Sequence, residues 1–118
     1  MRILIAIDHS QCAQAALQSV VARPRPPDTE IRILHVIEPL SLLLSREMAG
    51  DDPAFEAVWI ARQEQAKDLV AKAAEGLRGA GLNVTTALEE GDPNSQIIDV
   101  ARDWHADQIV LGSHGWKG

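Results

Sequence analysis

Ile3-Leu4-Ile5-Ala6-Ile7 is an unbroken apolar run closed by Asp8. It is rich in β-branched residues and has no polar alternation, so it reads as a strand covered on both faces, the kind found inside a parallel sheet. The residues after it fit that placement. Ser10 can cap a helix over about 11–22, in which Ala13, Ala16, Leu17, Val20 and Val21 recur at helical spacing until Pro24 and Pro26 stop it. Ile31-Arg32-Ile33-Leu34-His35-Val36-Ile37 is a second β-rich run, bounded by Pro39.

Between Glu38 and Asp52 the pattern is open to either a long loop or a short helix. Asp52-Pro53 then supplies a cap and a proline at the first helical position, and helix formers continue over about 53–78 until Gly76, Gly79 and Gly81 punctuate the end. From Leu82 to Glu89 apolar and polar residues alternate, the period of an edge strand with one wetter face. Asp92-Pro93 repeats the cap-and-proline start of a helix over about 93–104, with Ile97, Ala101 and Trp104 on one face and Ile98 flanking. Gln108-Ile109-Val110-Leu111 is a fourth strand, emptying into Gly112-Ser113-His114-Gly115-Trp116-Lys117-Gly118.

Strands alternating with helices predict the α/β class: an open, mostly parallel, twisted sheet, Rossmann-like and doubly wound, with helices on both faces. Four strands are visible. Ligands in such sheets sit beyond the carboxyl ends of the strands, where the winding reverses, so Asp8, Val36 and residues 112–118 are the positions of interest. The fourth strand is too apolar for a comfortable exposed edge, and a further strand of this chain or of a partner is expected to cover it.

A chain of 118 residues holds one domain, 1–118, with one core. Its 46% apolar and 24% charged residues are globular composition rather than disorder. The net charge of −6 offers no basic stripe for a nucleic-acid backbone and would be repelled by anionic lipid, which excludes nucleic acid and membrane as partners. No apolar run approaches the roughly 20 residues of a membrane span, and the amino terminus has no export pattern. Cys12 is the only cysteine, so neither an intrachain disulfide nor a cysteine zinc cluster can form; a cytoplasmic location is expected.

Gly112-Ser113-His114-Gly115 places two residues without Cβ after a strand, so that backbone N–H groups can approach an anion, phosphate above all. Alone the signal is weak, since most such glycines only make turns. It is not a P-loop, lacking Gly-Lys-Ser/Thr, and not the dinucleotide fingerprint, which would follow the first strand. Taken alone, Asp8 reads as a cap of the first helix. His35 on its strand reads as a satisfied interior histidine, and Cys12 as a buried, inert thiol. Ser113 and His114 are adjacent in a turn, poor geometry for a nucleophile and its base. The four histidines lack metal-ligand spacing. Trp59 and Trp104 read as core, and Leu40–Leu44 as local packing or a contact surface. Lys117 either neutralises phosphate or is one more solvated lysine.

Ile5-Ala6-Ile7-Asp8, Leu34-His35-Val36, Glu90-Gly91-Asp92-Pro93 and the block from Ala106 to Gly115 together resemble the universal stress protein family, in order over the whole chain. Nucleotide-binding members carry Gly-x2-Gly-x9-Gly-Ser/Thr, of which this sequence has the first half, Gly112 and Gly115. The domain is therefore read as incomplete at its C-terminus, without the second half of the phosphate loop, the last helix and the fifth strand. The resemblance implies that Asp8 contacts the adenosine portion near the ribose and that Val36 meets the adenine through its backbone. Ala6, Ile7 and Leu111 would wall the pocket. Gly112, Ser113, His114 and Gly115 would hold ribose and phosphates, with Lys117 nearby. ATP is the implied ligand, with magnesium carried by its phosphates, and a homodimer is implied for a complete member. The function implied is stress response through nucleotide binding and assembly rather than fast catalysis. Two alternatives stand beside it: an interaction module of the same family that binds no nucleotide, and a slow ATP-hydrolysing or adenylyl-handling enzyme.

Overall fold

The computed structural model describes residues 1–39 and 53–112. The expectations on the Asp52 cap, the stretch 40–52 with Leu40–Leu44, and Ser113, His114, Gly115, Trp116 and Lys117 lie outside the described residues. The elements are β1 Arg2–Ile7, α1 Gln11–Ala22, β2 Glu30–Ile37, α2 Pro53–Gly79, β3 Asn83–Glu90, α3 Pro93–Trp104 and β4 Gln108–Gly112. The strands form one sheet in the order β3-β2-β1-β4, and every pairing is parallel. No helix among the described residues is long and apolar enough to cross a membrane.

β1 sits inside the sheet because it has nothing to offer water: Ile3, Leu4, Ile5, Ala6 and Ile7 are all fully buried. Its odd residues join Ile31, Ile33 and Val84 beneath α1 and α2, while Leu4 and Ala6 join Leu34, Val36 and Ile97 beneath α3. That division follows from handedness. The chain steps from β1 to β2 to β3 in one direction, then crosses back to β4 on the far side of β1. Parallel crossovers are right-handed, so reversing the step moves the connecting helix to the other face. The winding therefore reverses between β1 and β4.

The two outer strands differ. β3 is an outer strand, as expected, but its exposure does not alternate strictly: Val84 is buried, whereas Thr86, which the alternation placed on the same face, is exposed along with Thr85, Glu89 and Glu90. β4 has no charged residue, and its Ile109 and Leu111 remain 44% and 42% exposed. The register Leu4↔Ile109 and Ala6↔Leu111 puts both on the α3 face, but α3 packs over β2 and β3 rather than over β4.

Helix ends follow their local chemistry with one exception. The Asp92 carboxylate accepts from the Ser95 N–H at 3.0 Å, with Pro93 next to it, and α3 ends on His105 in the left-handed region at φ 59°. Gly81, at φ 87°, lets the chain turn after α2. Ser10 stands at the N-cap of α1, yet its side chain makes no cap bond to the helix. Other local expectations are corrected as well. Trp104 is only half-buried, at the rim of the α3-side core, with the Arg32 guanidinium 4.7 Å from its ring centre. Trp59 is half-buried too, and Cys12 is exposed.

Candidate functional site

Asp8 and Gly112 are brought together by register. β1 pairs with β4 as far as Ile7↔Gly112, so Asp8 leaves the sheet beside the end of β4, at the winding reversal. Gly112 also has a packing role. A Cβ built on it would lie 2.8 Å from Ala16 Cβ, 3.0 Å from Ala13 Cα and 3.2 Å from the Cys12 carbonyl oxygen. The missing side chain is what lets the first turns of α1 rest on β4. Gly112 thus lies next to the amino end of α1, whose backbone dipole favours negative charge.

The Asp8 carboxylate is engaged with its own turn. Its Oδ1 accepts from the Ser10 N–H at 2.8 Å and from the Ser10 hydroxyl at 2.5 Å. This is an Asx-type turn leading into α1 rather than a cap on the helix. The Ser10 hydroxyl is turned toward this carboxylate as a donor, and its oxygen makes no cap bond to the first turn. A carboxylate here suits hydroxyl donors of a sugar better than phosphate, which it would repel.

The remaining positions of interest divide between the two faces. Ala6 and Val36 lie in the α3-side core, and Leu111 shares their face by its register with Ala6. The Ile7 side chain points the other way, into the core under α1 and α2, so only its main chain reaches the strand ends. Val36 lies beyond the last β1–β2 pair, Ala6↔Leu34, and is paired with Glu89 of β3.

His35 is a residue whose bonding partner left no trace in local sequence. It continues the inward series Ile31, Ile33 and is 8% exposed. Its Nδ1 lies 2.8 Å from the Ile7 carbonyl oxygen, which can only accept, so Nδ1 carries a proton. The His9 ring stands edge-on to it, with centroids 5.3 Å apart. Arg62 of α2 adds positive potential, and its Nη1 is buried with no hydrogen-bond partner among the described residues. Burial holds the His35 pKa below the usual 6.5; the Ile7 carbonyl opposes this, His9 and Arg62 reinforce it, and Asp8 counters them. A histidine depressed in this way stabilises the fold fully above 6.5 and loses that contribution as pH falls from there through the folded value. Wild-type protein is therefore expected to lose more unfolding free energy than His35→Asn between about pH 7.5 and about pH 5.5, measured by urea denaturation.

A cavity of about 910 Å³ opens between α1 and α2. It meets the strand ends only at Ile7–Ser10 and otherwise runs along Gln14, Leu17, Leu69, Lys72 and Leu77.

Comparison with known proteins adds a family and a set of relatives. The model of the universal stress protein family matches residues 1–118. Universal stress protein MJ0577 of Methanocaldococcus jannaschii is 30% identical over 126 residues, covering 97% of this chain and 76% of the relative. Universal stress protein Sll1388 of Synechocystis is 25% identical over 124 residues, covering 99% and 80%. The solved structure of MJ0577 superposes with a TM-score of 0.79 at 29% identity, over 97% of this chain and 75% of that one. A universal stress protein family member from Arabidopsis thaliana, solved with AMP bound, shares the fold with a TM-score of 0.64 at 16% identity, over 98% and 77%.

Proposed function

Because this chain belongs to the universal stress protein family, we propose that it binds an adenine nucleotide, ATP by preference, where β1, β2 and β4 end, and acts in stress response through binding and assembly rather than turnover. The observation that carries this reading is the Ile7↔Gly112 register, which brings Asp8 and Gly112 together at the winding reversal. Asp8 would receive ribose hydroxyls, since each carboxylate oxygen can accept more than one hydrogen bond. The Val36 main chain would meet the adenine edge, Ala6 and Leu111 would offer apolar surface on the same face, and the Ile7 main chain would line the floor. Gly112 and, beyond the described residues, Ser113, His114, Gly115 and Lys117 would hold the phosphates, which would bring their own magnesium. The Arabidopsis relative supports the reading to the extent that this fold can host an adenine nucleotide.

Isothermal titration with Mg-ATP and with AMP tests the proposal. Saturable heat, with a rise in melting temperature that follows ligand concentration, is the expected result. Absence of heat and of any thermal shift at millimolar ligand would favour a second reading, an interaction module or homodimer joined through the uncharged β4 edge. That reading draws on the exposure of Ile109 and Leu111.

A further inference from the structure

We propose that His35 is a positioning residue of the strand-end site: it grips the chain on both sides of Asp8, through the Ile7 carbonyl before it and the His9 ring after it, and so fixes the direction in which Asp8 leaves the sheet. The inference deepens the nucleotide-binding reading and rests on it for its functional consequence.

The need for such a grip is visible in the register. β1 and β2 are paired only as far as Ala6↔Leu34, whereas β2 continues its pairing with β3 to Ile37↔Glu90. Past Ala6, then, the end of β1 has lost β2 as a ladder partner. The His35 side chain takes over at that point, donating from Nδ1 to the Ile7 carbonyl at 2.8 Å across 28 residues of sequence. The Ile7 carbonyl and the Asp8 N–H belong to one planar peptide unit. Holding the oxygen therefore sets where the Asp8 N–H points and limits the rotation left to Asp8.

The second hold is the edge-on His9 ring, 5.3 Å from His35 and interplanar at 78°. His9 is exposed, so this contact restrains the turn without burying it. Together with the two bonds from Ser10 to the Asp8 carboxylate, the backbone and side chain of Asp8 are set from three directions. An aliphatic residue would pack better at an inward position that continues Ile31 and Ile33, but it could make neither contact. A neutral Nδ1–H imidazole satisfies its own burial through the Ile7 oxygen while doing so. Three charged or titratable groups face the ring: Asp8 and His9 from the β1–α1 turn and Arg62 from α2. None of them supplies the bond to Ile7.

The test compares wild type, His35→Asn and His35→Leu. Asn places an amide donor close to the position of Nδ1, whereas Leu fills the space without one. Titration with AMP should show His35→Leu weakened about tenfold, with His35→Asn recovering most of the loss. The Asp8 and His9 amide resonances should move in the Leu variant and stay near wild type in the Asn variant. Equal losses in the two variants, or unchanged AMP binding in a folded His35→Leu, would overturn the proposal. Should His35→Leu fail to fold, the ring nitrogens of wild type decide: an Nε2–H tautomer at His35 rules out the Ile7 bond. If wild type binds no nucleotide at all, the functional reading fails on its own account. The grip is then judged by the Asp8 and His9 amides, and their indifference to His35→Leu would end it.

Discussion

Gly112→Val is expected to cost the fold about 3 kcal/mol and to take nucleotide binding with it. Two of the three atoms nearest a Cβ at this position, Ala13 Cα and the Cys12 carbonyl oxygen, are main chain of α1, and the third is the rigid Ala16 methyl. None can rotate aside, so relief requires α1 to lift from β4. That movement would break the packing of Ala13, Ala16 and Leu17 on the core and carry the Asp8–Ser10 turn away from the end of β4. A loss of this size is a substantial part of the roughly 5–15 kcal/mol that holds a domain of ordinary stability together. Gly112→Ala in an Ala16→Gly background isolates the cause. The cost of the added methyl should fall by about 1 kcal/mol relative to its cost in wild type, because the closest contact, at 2.8 Å, has been removed. An undiminished cost in the double-mutant cycle, read from urea unfolding, would place the strain elsewhere.

The same glycine marks the boundary of what sequence can tell. Its position after an apolar run announced a strand end followed by a turn with exposed N–H groups. Its contact with α1 depends on how a helix about 100 residues earlier settles on the sheet, and no local pattern encodes that. The strands themselves were legible because β-branched runs buried on both faces have few other fates, and β3 betrayed its edge position by alternating. Helix α1 was legible as a helix but not in which flank it leaves open. Val21 belongs to the apolar periodicity and yet is 46% exposed, on the flank of α1 that lines the groove. Ser10 had the composition of a cap, but its hydroxyl is oriented as a donor toward Asp8 two residues earlier, and no cap bond to the helix forms. Trp104, spaced as a core residue, stops at the rim and stacks beneath Arg32, a contact that needs β2 and α3 already in place. His35 shows the same limit more sharply. Its burial was readable from the strand, whereas its partner Ile7 becomes a neighbour only when β1 and β2 lie side by side.

For Asp8 two roles coincide, and two substitutions can separate them. Asp8→Ala removes both bonds to Ser10 and leaves the entry to α1 without its turn, so a stability loss of about 1 kcal/mol is expected at this half-buried position. Asp8→Asn retains an oxygen that can accept from the Ser10 N–H and hydroxyl, and its melting temperature should stay near wild type. Nucleotide affinity should fall in both. A hydrogen bond from a ribose hydroxyl to a carboxylate contributes about 2 kcal/mol, so binding of AMP is expected to weaken roughly 30-fold in Asp8→Asn while the fold is unaffected. The choice of AMP over ATP matters to the argument. With a single phosphate, most of the binding energy comes from the nucleoside end of the site, and changes in phosphate grip at the Gly112 turn contribute less to the difference. Charge gives the opposite signature if the geometry is otherwise: were Asp8 to face the phosphates, removing its charge would relieve repulsion, and Asp8→Asn would bind AMP more tightly than wild type. The sign of that one change, measured by titration on a variant whose unfolding is unaltered, therefore decides which end of the nucleotide the first strand holds.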